Sequence, residues 1–266
     1  MSTEIRTVTA NEREMRYIRF GNESGEPLVI LPGLSLRSVM NFADSIQTQY
    51  SAVLAREYEI FLFDRVTVFP KDYDEYQMAE DTLEALRKTG IEKAAVMGVS
   101  QGGMIAQVMA AGSPETIQGL ILCSSAPSTR GCDPKMLAEW KKYAEERNAE
   151  ALMESFAGYV YTPSFFHRYR DAIIALGKGA TEQEFLNFLS SLRSLPAFDM
   201  TDRLNRIACP AFVLGAGKDR VLGVQGSLDL MAALHCEGYI YEENGHGVFD
   251  EAPDYQDRIL AFLKNR

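Results

Sequence analysis

The chain has little histidine, little tryptophan and no basic stretch. Its 266 residues include 3 His, 1 Trp and 4 Cys. The cysteines Cys123, Cys132, Cys209 and Cys236 are widely spaced and form no C-x-x-C pair. This excludes a disulfide framework and a cysteine zinc site, and it points to reduced thiols in a cytoplasmic protein. No His/Asp/Glu cluster has metal-ligand spacing, so neither a metal nor another cofactor is expected. Long apolar runs are absent too: the longest, Leu28 to Leu34, falls far short of the roughly 20 residues of a spanning helix. Met1 to Arg16 lacks the apolar region of an export signal. Lys+Arg number 27 against Asp+Glu 37, a net charge of −10. Such a chain repels phosphate backbones, so nucleic acid is not an expected partner, and without a spanning run or export signal neither is a membrane. Internal repeats and low-complexity linkers are missing as well.

What is present is an ordinary globular composition, 46% hydrophobic and 24% charged. Short apolar runs recur at Leu28–Leu31, Ile60–Phe63, Ala94–Met97, Leu120–Cys123 and Ala211–Leu214. Each is apolar throughout rather than alternating, as parallel strands buried on both faces require. Helical patterns lie between them, for example Met78 to Lys88 with Ala79, Leu83 and Leu86 on one face. Thr7 to Arg19 reads as an antiparallel edge pair turning at Ala10-Asn11, and Pro253 opens a C-terminal helix. The predicted fold is α/β, a doubly wound, mostly parallel sheet.

From Asp133 to about Leu195 the alternation stops and four helical stripes follow, opening near Asp133-Pro134, before Leu152, at Pro163 and at the capping box Thr181-x-x-Glu184. Because a core strand precedes this stretch and another follows it, it reads as an insertion over the carboxyl edge of the sheet, where open α/β sheets bind ligands. The expected division is a core of 1–127 and 196–266 with a helical cap of 128–195.

Gly98-x-Ser100-x-Gly102 follows a strand and precedes a helical run. In that context the serine stands on a sharp turn above the sheet, with a helix N-terminus that favours developing negative charge. The turn carries neither a P-loop nor a dinucleotide fingerprint. A nucleophilic serine needs a base. Of the three histidines, His167 sits among lid aromatics and reads as a packing or pocket residue, while His235 ends a helix. His246, in Asn244-Gly245-His246-Gly247 after the last strand, is the candidate base. Asp219, directly after a core strand, is the candidate acid that orients it. Asp250 competes by proximity but reads as the start of a helix, and Asp199 and Asp202 are weaker. Ser100, Asp219, His246 is the nucleophile–acid–base order of one fold.

With these motifs in hand, the chain resembles the α/β-hydrolase superfamily, in the branch of small capped serine esterases and lactonases. The resemblance rests on Leu31-Pro32-Gly33-Leu34, Asp64-Arg65, Gly98-Val99-Ser100-Gln101-Gly102-Gly103, Gly217-Lys218-Asp219 and Gly245-His246-Gly247. It implies that the backbone N–H groups of Leu34 and Gln101 form the oxyanion hole. Two departures stand out: Pro32 replaces a common His, and Asp-Arg-Val-Thr replaces Asp-x-Arg-Gly, which leaves Arg65 a structural ion pair or loop hydrogen bonds, or a place at the pocket. The implied activity is cleavage of a small to medium carboxylic ester or lactone through an acyl-enzyme. Other triad reactions (thioester, peptide, carbon–carbon, perhydrolysis) and a non-catalytic ligand-binding protein on the same scaffold are the alternatives. The expected partner is a small ester-like molecule, and oligomeric state is left open. The lid residues Met153, Phe156, Tyr159, Tyr161, Phe165 and Phe166 are expected to divide between packing the lid and walling a pocket. The net charge favours uncharged substrates unless Arg65 or Arg130 reverses it locally.

Overall fold

A computed structural model describes residues 3–266, and Met1 and Ser2 of the N-terminal stretch read above lie outside it. Strands β1 (Ile5–Ala10) and β2 (Arg13–Gly21) form an antiparallel hairpin in which Ala10 pairs with Arg13. The turn is therefore Asn11-Glu12, one residue beyond the predicted Ala10-Asn11. Both of its residues have positive φ, 47° and 66°, which a two-residue hairpin of matching twist requires. Then come β3 (Pro27–Leu31), the helices α1 (Ala43–Tyr50) and α2 (Leu54–Glu57), and β4 (Glu59–Val66). Neither α1 nor α2 was marked by the apolar pattern. The chain continues through α3 (Glu75–Lys88), β5 (Ala94–Val99), α4 (Gln101–Gly112) and β6 (Ile117–Cys123).

Four helices follow: α5 (Pro134–Glu145), α6 (Ala149–Val160), α7 (Pro163–Ala175) and α8 (Glu182–Ser194). Helices α5, α7 and α8 begin where the sequence marks an opening, and α6 begins after the cap Asn148, whose side chain accepts from Ala151 N–H at 3.1 Å. Asp133 accepts from Lys135 N–H at 2.8 Å, and Thr181 and Glu184 form the reciprocal capping box. The chain then returns to the sheet as β7 (Ala211–Ala216), α9 (Gly223–Leu234), β8 (Glu237–Tyr241), the short α10 (Val248–Glu251) and α11 (Tyr255–Asn265). Helix α11 starts two residues after Pro253 rather than at it.

The eight strands form one sheet in the order β1-β2-β4-β3-β5-β6-β7-β8. The β1/β2 and β2/β4 pairs are antiparallel and the others parallel. All six residues of β5 are buried, as its unbroken apolar run predicts. Helices cover both faces. Met78, Leu86, Met104 and Met109 pack on one side, and Tyr50, Leu54, Tyr255 and Ile259 on the other. Trp140 (1% exposed), Phe156 and Phe188 join α5, α6 and α8 to the first of these cores, with ring centroids 4.7 Å apart for Trp140–Phe156 and 6.4 Å for Phe156–Phe188. Burial of such side chains stabilises by about 1.5–3 kcal/mol each. Surface ion pairs such as Lys141–Glu145 at 3.7 Å contribute about 0–1 kcal/mol. Apolar packing therefore holds these helices on the sheet. Among the described residues, no helix is long and apolar enough to cross a membrane.

Candidate active site

The parallel strands all end at one edge, so the segments after β3, β5, β7 and β8 meet there. Ser100, between β5 and α4, has φ 52° and ψ −117°, a backbone conformation that side-chain-bearing residues adopt only when the surroundings impose it. Those surroundings are hydrogen bonds and close contacts. Ser100 N–H donates to Cys123 O at 2.8 Å, and Ser100 O accepts from Gly103 N–H at 2.9 Å and from Ser125 Oγ at 3.0 Å. A Cβ at Gly98 would stand 2.4 Å from Gly102 O, and one at Gly102 would stand 2.2 Å from Leu31 O. Backbone meets backbone at both positions, which is why the motif demands glycine there.

His246 is 4% exposed, and its Nδ1 lies 2.8 Å from Asp219 Oδ2. The other Asp219 oxygen accepts from Val221 N–H at 2.8 Å and Leu222 N–H at 3.0 Å. Burial works against the charged carboxylate, but the attraction of His246 and these hydrogen bonds outweigh it, leaving Asp219 below its usual pKa. Lys218 N–H donates to Asn244 O at 3.0 Å and ties the two loops together. An aspartate that accepts from Nδ1–H leaves Nε2 free as the basic nitrogen. Ser100 and His246 face the same cavity. Among the described residues the Ser100 hydroxyl makes no hydrogen bond, a looseness common before substrate binds.

The competing carboxylates are placed elsewhere. Asp250 lies inside the short α10 rather than at the entry of a helix that follows it; its side chain accepts from Tyr161 Oη at 2.6 Å, and desolvation raises its pKa. Asp199 accepts from Arg130 at 2.5 Å and from Thr201 N–H at 2.9 Å, and Asp202 is exposed. His235 is the left-handed residue that ends α9. His167 is exposed on α7, which corrects the expectation of a packing or pocket residue; its neighbours Phe165 and Phe166 are half-buried.

Leu34, after β3, and Gln101, the first residue of α4, both line the cavity. The Gln101 N–H has no intrahelical acceptor at that position. Its side chain is committed to Glu75, with Nε2 donating to Oε1 at 2.8 Å. Arg65 donates through Nη2 to Pro32 O at 2.8 Å and so steadies the Leu34 segment, one of the loop hydrogen bonds expected of it.

The cavity measures about 390 Å³, and its walls are mainly apolar. Of the six lid residues singled out in the sequence, Met153, Phe156 and Tyr161 line it. Phe165 stacks on Tyr161 at 5.0 Å, and Tyr159 packs on Trp140 at 6.0 Å. Sequence reasoning missed Phe42, Ile46 and Gln49 in the lining, because α1, which Phe42 precedes and the other two occupy, carries too short an apolar stripe to stand out. Cys132 also reaches the cavity, but burial pushes its thiol up to about 11, so it stays protonated and weakly nucleophilic at neutral pH. Among the described residues, no group of three or more His, Cys, Asp or Glu side chains is arranged to hold a metal ion.

The sequence model of the alpha/beta hydrolase fold family matches residues 26–253. A protein named "Putative carbamate hydrolase RutD" from Pseudomonas savastanoi pv. phaseolicola is 25% identical over 249 residues, 89% of this chain and 93% of that one. Its namesake from Escherichia coli O6:H1 is 24% identical over 246 residues, 89% of this chain and 90% of its own. Among solved structures, the enol-lactonase from Burkholderia xenovorans LB400 superimposes with a TM-score of 0.84 at 18% identity, covering 97% of this chain and 100% of that one. An esterase from Exiguobacterium antarcticum gives 0.80 at 19% identity, covering 99% and 100%. The family match spans the serine turn, the Asp219 loop and the His246 loop, and the chain belongs to the alpha/beta hydrolase fold family.

Proposed function

We propose that this chain is a serine hydrolase that cleaves a small to medium carboxylic ester or lactone. The observation that carries the reading is the buried 2.8 Å pairing of His246 with Asp219, opening on the cavity that holds Ser100. In this mechanism His246 Nε2 takes the Ser100 proton as Oγ attacks the substrate carbonyl. Asp219 holds the ring and stabilises the imidazolium. The N–H groups of Leu34 and Gln101 receive the oxyanion, where loss of one donor costs roughly 10²–10³ in rate. Collapse of the tetrahedral intermediate expels the alcohol, which takes the proton from His246. Water, activated by the same histidine, then releases the acid and restores Ser100. Helices α5–α8, within residues 128–195, act as a cap over a core of 1–127 and 196–266.

The name carried by the relatives favours a second reading, a carbamate in place of the ester. The same attack on a carbonyl serves both. The test is a fluorophosphonate probe followed by peptide mass analysis. Stoichiometric labelling of Ser100, absent from Ser100→Ala, supports the serine hydrolase; an intact protein that stays unlabelled supports the non-catalytic alternative. Turnover of a matched ester, lactone and carbamate panel then chooses between the two readings.

A further inference from the structure

Beside the main cavity lies a second, smaller one of about 60 Å³, room for a carboxylate or a few water molecules. The two share the segment Leu34–Arg37 and Gln101, so the recess adjoins the corner assigned to the oxyanion. Three arginines line it: Arg16 from β2, Arg37 from the segment after β3, and Arg65 from β4.

None of these guanidiniums is hydrogen-bonded to a carboxylate. Arg65 donates to Pro32 O at 2.8 Å, and Arg37 donates to Lys178 O at 2.8 Å. Both acceptors are neutral carbonyls. Among the described residues the Arg16 guanidinium makes neither a hydrogen bond nor an ion pair. The Nε of all three arginines is buried without a hydrogen-bond partner, against one unpaired buried acceptor in the same lining, Gln101 Oε1. Cationic donors are therefore in excess.

The carboxylates in the lining do not supply what is missing. Asp64 accepts from Ser38 Oγ at 2.5 Å and from Arg65 N–H at 2.8 Å, and burial raises its pKa. Glu184 spends one oxygen on Ser38 N–H and Asn41 Nδ2, and the other on the backbone and hydroxyl of Thr181. It forms only a loose ion pair with Arg37, 3.9 Å from Nε and too far for a hydrogen bond. Buried donors without acceptors are costly, and guanidinium forks match a planar carboxylate.

We propose that this recess binds a carboxylate on the acyl portion of the substrate, so that the preferred substrate is a carboxylate-bearing ester or lactone. The acyl side follows from the shared residues, since Leu34 and Gln101 are the groups that would hold the acyl carbonyl oxygen. The inference rests on the hydrolase reading and replaces the uncharged substrate expected from the net charge of −10. Long-range repulsion slows approach, but a local cluster of arginine donors left without hydrogen-bond acceptors decides what is held.

The test compares kcat/KM for mono-p-nitrophenyl glutarate with that for its neutral amide, the p-nitrophenyl ester of glutaramic acid. The hemiester is expected to be faster by about tenfold or more, the usual gain from a hydrogen bond to a charged group. Arg16→Gln should bring the ratio close to one, and Arg16→Lys should keep part of it. Arg130→Gln, which alters an exposed ion pair with Asp199, should leave the ratio intact. A ratio at or below one in the unmodified chain, or one unmoved by Arg16→Gln, overturns the proposal. Calorimetric titration with glutarate separates the two claims. Binding weakened at least fivefold by Arg16→Gln, with neither ester cleaved, sinks the hydrolase reading and upholds the recess. Cleavage of the neutral ester with no glutarate binding does the reverse.

Discussion

Thr162 at the start of α7 is bound through both its backbone and its hydroxyl to Glu251 at the end of α10. Glu251 Oε1 accepts from Thr162 N–H at 2.6 Å and from Thr162 Oγ1 at 2.9 Å, while Oε2 accepts from Gly245 N–H at 2.7 Å. Gly247 N–H donates to Val160 O at 2.9 Å alongside. One carboxylate and one backbone hydrogen bond thus join these helices to the residues on either side of His246. Glu251→Gln replaces one acceptor oxygen by a donor and leaves one of these N–H groups facing it. The expected loss is about 1–3 kcal/mol, a fall in Tm of roughly 2–10 °C with a parallel fall in kcat. Thermal unfolding and ester turnover measure the two effects, and no change in either would refute the coupling.

Ser100→Ala should abolish hydrolysis, by on the order of 10⁶ in kcat, with little change in Tm. The hydroxyl carries no packing or hydrogen bond that the fold depends on, whereas the strained backbone is held by its neighbours. A purified variant that kept more than a few per cent of the wild-type rate would move the nucleophile elsewhere.

Asp219→Asn should lower kcat by about 10⁴, because an amide facing Nδ1 selects the wrong tautomer. Asp250→Asn should leave kcat within a few-fold, since its partner is Tyr161. The opposite ranking in steady-state kinetics would make Asp250 the acid.

The two aspartates also differ in how they act on stability. Asp219 has a depressed pKa in the folded chain, so its contribution is present at neutral pH and is lost progressively below about 3.9. Asp250 has a raised pKa, so its contribution is full below about 3.9 and declines as pH rises through the raised value. Asp250→Asn removes that decline while keeping an acceptor for Tyr161. The variant should melt above the wild type at pH 7, with the gap closing towards pH 4. A gap that widens on acidification would contradict the sign.

Chain length of the substrate provides a further check. Each buried methylene favours binding by about 0.8 kcal/mol until the cavity is full. With about 390 Å³ available, p-nitrophenyl esters of two to sixteen acyl carbons should show kcat/KM rising and then falling, with the maximum at short or middle lengths. A maximum at the longest chain would mean that the cavity is open at its far end.

Much of this molecule is local enough to be written in one dimension. Parallel strands buried on both faces have to be apolar throughout, so β3 to β7 were legible as runs. Helices α5 and α8 announce themselves through their N-caps, which are chemistry between residues two or three apart, α7 through Pro163 and α6 through its apolar stripe. Ser100 was legible because its turn needs glycine at fixed offsets, and His246 because so few histidines compete with it. The turn at Asn11-Glu12 and the start of α11 were misplaced by one or two residues, since caps and turns are settled by hydrogen bonds that tolerate small shifts.

Contacts between distant segments were settled only in three dimensions. Asp219 and Asp250 are both near His246 in the chain's logic, and only the fold turns one towards Nδ1 and the other towards Tyr161. Nothing in the order of residues says that Arg16, Arg37 and Arg65, from three separate segments, converge on one recess, or that Glu251 reaches Thr162. Sequence by itself determined the core strands, most of the helices and the reactive turn, because periodicity, capping and backbone strain act between near neighbours. Tertiary structure decided which charged groups meet and which stay unpaired, because Coulomb and hydrogen-bond partners are chosen by distance in space, and the topology of the sheet sets that distance.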